Sequence, residues 1–442
     1  MNPGWTYIPH TGGSLFDVRL LHGWFPIAVS VLAALLVLAA AARRSKRWGM
    51  VWVPIGVVAG GIAAVTVFGV LDARGLDPAS APASFWLWTV VAVGLVVAAV
   101  IGVRTARWWQ NGLTVVAVLL CVFCLALSLN QWSGYYPTFS RAWAGITDDP
   151  LPLETTPDRL NTFRNSPAAA KEGRIVTIDV PSRRSGFRAR SEYVYLPPAW
   201  FVGAEPPALP AVVMIGGVIN TPEDWVRSGE ALQTVNAYAR DHRGVAPILV
   251  LPDVSGSLTN DTECVDGPRG NVDTHIVDEV RPYVIERFGA SRAARNWAVV
   301  GWSMGGTCAI DLVVRHPDDF ATFVDISGDV APNVGDKQQT IKTLFGGDAQ
   351  AWDRFDPRTV MERHGPYTGV AGWFISEGRK GRDGQLHSPQ ITAAKLLAPV
   401  ARSVGIDVTE RYESGTHTWS FGALAWGQVI AWLHERIDDP VI

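Results

Sequence analysis

Ser303 stands in Gly301-Trp302-Ser303-Met304-Gly305-Gly306, between the apolar run 296–300 and the helix-like run 307–314. A Gly-x-Ser-x-Gly between a strand and a helix has the form of a nucleophile elbow. The serine sits at the tip of a sharp turn, and the flanking positions leave no room for a side chain. The competing reading is a glycine-rich turn with a solvent-facing serine. Serine is a weak nucleophile at neutral pH; it needs a base within hydrogen-bond reach and a third group to orient that base. With this elbow the chain order is serine, acid, histidine. Of nine histidines, five follow Ser303. His316 and His434 fall on helices at positions read as surface, and His364 precedes the strand expected to lead to the acid. His417, in Gly415-Thr416-His417-Thr418-Trp419 after the final strand, is where the base belongs.

The acid should follow the strand 370–376. Asp383, in the apparent loop 378–384, is the first choice and Glu377 the alternative; either could instead be an ordinary solvated carboxylate beside Arg379, Lys380 and Arg382. A tetrahedral oxyanion needs preorganised N–H donors. Met304, directly after the serine, should supply one. The loop after the strand 210–215 should supply the other, from Gly217 or Val218.

The elements that would carry these residues alternate. Edge-type strands at 174–180 and 187–196 precede buried apolar runs at 210–215 and 246–251. Helices are expected over 225–241 and 272–288, and further strands at 321–326, 370–376 and 407–412. Buried strands alternating with helices predict a largely parallel sheet covered on both faces, and the elbow at Ser303 makes the expectation for 172–442 an α/β-hydrolase fold. Residues 133–171, rich in proline, read as a linker with a short helix near 157–163.

Residues 1–132 have another character. Apolar spans at 24–42, 48–71, 84–103 and 113–129 each approach the roughly 20 residues a transmembrane helix needs. A cleaved signal peptide does not fit, because the first span lacks a basic leader and three spans follow. Arg43, Arg44, Lys46 and Arg47 lie between the first two spans, and Arg104 and Arg107 between the last two. The loop carrying Asp72, Arg74 and Asp77 has no basic excess. The positive-inside rule then puts the hydrolase-like domain outside the cytoplasm. No ionisable residue lies mid-span, so the region reads as an anchor rather than an ion or proton path.

A net charge of -3 with no long basic run argues against nucleic-acid binding. Cys121 and Cys124 lie within the fourth span. Cys264 and Cys308 are the two cysteines of the outward domain, and that oxidising setting predicts a disulfide between them, the alternative being two buried thiols. Asp261, Glu263, Asp266 and Asp273 do not have EF-hand spacing, and neither a metal nor a cofactor is called for.

Taken together, the elbow, His316-Pro317-Asp318-Asp319-Phe320 and Ser327-Gly328 resemble the esterase D and mycolyltransferase group of α/β-hydrolases, which cleave or transfer acyl esters. Gly415-Thr416-His417-Thr418-Trp419, with Trp426-Gly427 beyond it, is similar to the histidine segment of antigen 85-type mycolyltransferases. Met214-Ile215-Gly216-Gly217-Val218 is similar to their oxyanion loop, which implies Val218 as the second donor. Where those enzymes carry an acid and an arginine for trehalose, this chain has Gly216 and Ile219. The resemblance implies a serine esterase or acyltransferase acting on lipid or glycolipid esters, and the four spans add a membrane anchor. The alternative is a noncatalytic binding module on a hydrolase fold.

Overall fold

The computed structural model describes residues 18–42, 48–73, 78–102, 107–147, 149–166 and 171–437. It divides into two compact units, 1–149 and 150–442.

Among the described residues of the first unit, four helices are long and apolar enough to cross a membrane. They are α1 (Trp24–Ala42), α2 (Val53–Ala73, preceded by a wide turn at Trp48–Trp52), α3 (Ala83–Gly102) and α4 (Trp108–Ser133). Their outer faces carry exposed Val, Leu and Ile, as a lipid-facing surface requires. Helices α2 and α3 approach through small residues: a Cβ on Gly56 would lie 2.6 Å from the Gly94 carbonyl oxygen, and one on Gly60 2.3 Å from that of Val90. Helix α4 begins five residues before the apolar span suggested. The Arg107 N–H donates to Gln110 Oε1 at 3.0 Å, closing the first turn around polar residues that a hydropathy reading leaves out. The charges used to infer orientation at positions 43, 44, 46, 47, 74, 77 and 104 lie outside the described residues.

The second unit is built on a ten-stranded sheet: β1 (Glu154–Thr155), β2 (Arg174–Ile178), β3 (Glu192–Leu196), β4 (Ala211–Ile215), β5 (Ile248–Leu251), β8 (Trp297–Trp302), β9 (Thr322–Ile326), β10 (Ala371–Lys380), β11 (Leu386–His387) and β12 (Asp407–Ser414). β6 (Asp266–Gly267) and β7 (Gly270–Asn271) form a separate small hairpin. The sheet order is β1-β2-β3-β5-β4-β8-β9-β10-β11, with β12 also on β10. β2, β3 and β5 pair antiparallel, while β5, β4, β8, β9, β10 and β12 run parallel. The central strands are buried throughout, which is why they read as unbroken apolar runs. This is the expected α/β-hydrolase architecture. It draws in β1 and the short helix Leu160–Phe163 from the segment read as linker.

Two elements differ from expectation in ways that shape the site. The helix expected over 225–241 is broken into Asp224–Arg227 and Ala231–Asp241. At the break a Gly229 Cβ would lie 2.8 Å from both the Trp225 and Trp419 rings, so the chain opens where two tryptophans meet edge to face. Strand β10 runs on to Lys380 because β12 accompanies it as far as Gly378 and β11 folds back on Arg379 and Lys380.

Candidate active site

Ser303 follows β8 and immediately precedes the helix Met304–Arg315, at φ 59° and ψ −124°. A non-glycine residue holds that conformation only where its surroundings over-determine it. Here the neighbouring glycines do so. A Cβ on Gly301 would lie 1.6 Å from the Gly305 oxygen, one on Gly305 2.3 Å from the Ile215 oxygen, and one on Gly306 2.4 Å from Asp325 Oδ1. The Ser303 N–H is fixed to the Ile326 oxygen at 2.9 Å. Met304 is the first residue of its helix, so its N–H has no partner within that helix.

His417 lies on the loop between β12 and the helix Trp419–Ile437. Its Nε2 is 2.9 Å from Ser303 Oγ and its Nδ1 is 2.8 Å from Glu377 Oε1. The Trp302 ring stacks on the imidazole, centroids 4.4 Å apart and 25° from parallel. Gly415 lets this loop cross β10, since a Cβ there would lie 3.2 Å from Glu377 Cβ. The Glu377 side chain is only 3% exposed, and its second oxygen accepts a hydrogen bond from Ser327 Oγ. Ser303, Glu377 and His417 thus meet at or just beyond the carboxyl ends of β8, β10 and β12, where α/β sheets place their sites.

The first choice of acid is corrected by this geometry. Asp383 lies at the tip of the β10–β11 hairpin and bonds His387 Nε2 at 2.9 Å and the Gln385 N–H at 3.0 Å. The His387 contact holds its exposed carboxyl below the usual range. Because β10 extends through Glu377, the segment read as a loop near the base is a ribbon projecting from the sheet. Glu377, the alternative, is the carboxylate that reaches His417.

The oxyanion donors also sort themselves. The Gly217 N–H is taken by Asn220 Oδ1 at 2.6 Å, which removes it as a donor to substrate. What Gly217 supplies is room: a Cβ there would lie 3.2 Å from Ser303 Cβ, so the loop passes directly over the serine. Met304 and Val218 remain as candidate donors.

Cys264 and Cys308 are joined in a disulfide that ties the loop after β5 to the helix after Ser303. Cys121 and Cys124 are free and buried. His316 binds Asp273, while His434 is buried against Tyr238 rather than lying at the surface. Among the described residues no group of three or more His, Cys, Asp or Glu side chains is placed to hold a metal ion. Sequence reasoning did not assign roles to Ser327, Trp302 or Asn220. Only Asn220 carried a local signal, as an Asx residue closing a glycine turn.

Residues 188–431 match the family described as "Putative esterase". The chain belongs to that family. An uncharacterized protein of Corynebacterium glutamicum is 30% identical over 260 residues, 57% of this chain and 58% of its own length. The chain therefore spans little more than half of that relative. A ferulic acid esterase superposes with TM-score 0.51 at 16% identity, covering 60% of this chain and 98% of that one. An S-formylglutathione hydrolase from Agrobacterium tumefaciens gives 0.50 at 18% identity, covering 61% and 97%. At these identities the likeness is one of fold.

Proposed function

We propose that the protein is a membrane-anchored serine esterase or acyltransferase that acts, outside the cytoplasm, on ester-linked acyl groups of envelope lipids or glycolipids. The observation that carries this reading is the continuous relay from Ser303 Oγ through both nitrogens of His417 to the buried Glu377. His417 Nε2 takes the hydroxyl proton as Oγ attacks the ester carbonyl, and Glu377 holds the imidazole in the tautomer that leaves Nε2 free to accept it. The Met304 and Val218 N–H groups stabilise the tetrahedral oxyanion, with the positive end of the helix Met304–Arg315 behind the first. Collapse expels the alcohol, which receives the proton from His417 and leaves an acyl group on Ser303. Water or an acceptor hydroxyl then gives its proton to His417 and attacks the acyl carbonyl, and His417 returns that proton to Ser303 Oγ as the ester bond to serine breaks. The outward placement rests on the arginines and lysine between the spans.

The test is fluorophosphonate labelling of the full chain in detergent. The wild type labels, and Ser303→Ala and His417→Ala do not. A folded wild type that stays unlabelled would reverse the reading and leave a binding module on a hydrolase fold.

A further inference from the structure

The loop above Ser303 is held by a side chain outside the Ser303–His417–Glu377 relay. Gly217-Val218-Ile219-Asn220 forms a tight turn in which the Asn220 N–H donates to the Gly217 oxygen at 3.1 Å. The Asn220 side chain closes the same turn from the other end, its Oδ1 accepting the Gly217 N–H at 2.6 Å. A four-residue turn uses the N–H of its last residue. With the first N–H also taken, the N–H groups of Val218 and Ile219 are the two that neither closure consumes, and Val218 is the one that adjoins Gly217, the residue lying over Ser303. The two bonds fix the shape of the turn, and it lies close over the serine, where a Cβ on Gly217 would be 3.2 Å from Ser303 Cβ.

Asn220 is itself fixed. Its carbonyl oxygen accepts from Arg190 Nη2 at 3.0 Å, and the Arg190 guanidinium forks onto Asp253 through Nε at 3.1 Å and Nη2 at 2.6 Å. Asp253, 1% exposed, also accepts the N–H groups of Arg190, Ser255 and Gly256 just beyond β5. A charge-assisted fork of this kind fixes direction as well as distance. From it the turn is braced to the end of the strand beside β4.

We propose that Asn220, braced by Arg190 and Asp253, is a positioning residue that presents the Val218 N–H to the developing oxyanion. The inference rests on the esterase reading above. A donor fixed in advance helps the transition state more than the bound substrate, so its loss should appear in kcat rather than KM.

The experiment compares wild type, Asn220→Ala, Asn220→Asp and Asn220→Ser in the full detergent-solubilised chain, using a p-nitrophenyl ester and the rate of fluorophosphonate labelling. Asn220→Asp keeps an acceptor for the Gly217 N–H; alanine removes it, and serine shortens it. The expected result is a kcat loss on the order of 10²-fold in Asn220→Ala with KM within about threefold, and labelling slowed in parallel. Asn220→Asp should stay within about tenfold of wild type, with Asn220→Ser between. If alanine prevents folding, the serine and aspartate variants carry the comparison. A kcat for Asn220→Ala within about threefold of wild type, or equal losses in all folded variants, would overturn the inference. An unlabelled wild type would instead overturn the esterase reading.

Discussion

Glu377–His417 and Asp383–His387 are the same pair of functional groups at nearly the same separation, 2.8 and 2.9 Å, and both acids start from one strand and its hairpin. Their surroundings differ. The Glu377 side chain is 3% exposed and also bound by Ser327, and its imidazole is stacked on Trp302 with the far nitrogen on Ser303. The side chains of Asp383 and His387 are 54% and 60% exposed. Water and salt compete for an exposed pair and leave it little orienting power, whereas a buried carboxylate with both oxygens engaged fixes the ring it binds. Pairing alone therefore does not make a candidate catalytic acid. Burial and a second tether distinguish the two.

The sharpest way to break this comparison is Glu377→Gln. The amide preserves shape but cannot stabilise the imidazolium, and it can present an N–H where His417 needs an acceptor. A kcat loss on the order of 10³- to 10⁴-fold with little change in KM is expected from ester turnover. Retention of more than about a tenth of wild-type kcat would mean that Glu377 only packs beneath the histidine.

The misplacement of the acid shows what local sequence can carry. The elbow was legible because its glycines answer to contacts within a few residues and to the adjacent strands. His417 was legible because a loop after the last strand is a topological position. Glu377 was less so: Gly378-Arg379-Lys380-Gly381 looks like a loop, and only pairing with β11 and β12, from distant parts of the sequence, makes most of it strand. The Gly217 donor failed for a smaller reason of the same kind, a side chain three residues on that consumes its N–H. The break at Gly229 is likewise set by Trp419, far along the chain. The four helices long and apolar enough to cross a membrane needed no such partner, since length and composition alone mark them.

A third carboxylate extends the comparison to burial without an imidazole. Asp325, at the end of β9, accepts the Gly328 N–H at 2.6 Å, and burial raises its pKa to about 7. Between about pH 4 and 7 the folded chain holds a proton here that the unfolded chain has released. Its contribution to stability is thus fullest at the acid end and is lost as pH rises toward 7. Asp261 and Glu263, also raised by burial, act in the same direction. Thermal unfolding of the hydrolase unit, followed by tryptophan fluorescence, should fall by a few degrees between pH 5 and about 7.5. Asp325→Asn, which keeps an acceptor for the Gly328 N–H, should flatten part of that slope. An unchanged slope would mean that Asp325 ionises as readily folded as unfolded.

The smallest expected effect belongs to Asp383, the acid preferred from the sequence. The His387 contact lowers the pKa of Asp383, so any stability it adds is present above the unfolded pKa and fades as pH falls through the folded one. On so exposed a hairpin, solvent screening makes that contribution too small to register. Asp383→Asn should leave kcat within about twofold of wild type and the melting temperature within about a degree. It also retains a side-chain oxygen for the Gln385 N–H, so the hairpin tip keeps its turn. A loss beyond about tenfold in kcat, with the fold intact, would show the ribbon swinging its aspartate onto His417 during turnover. That result would make the two pairs alternative states of one site rather than a buried pair and a solvated one.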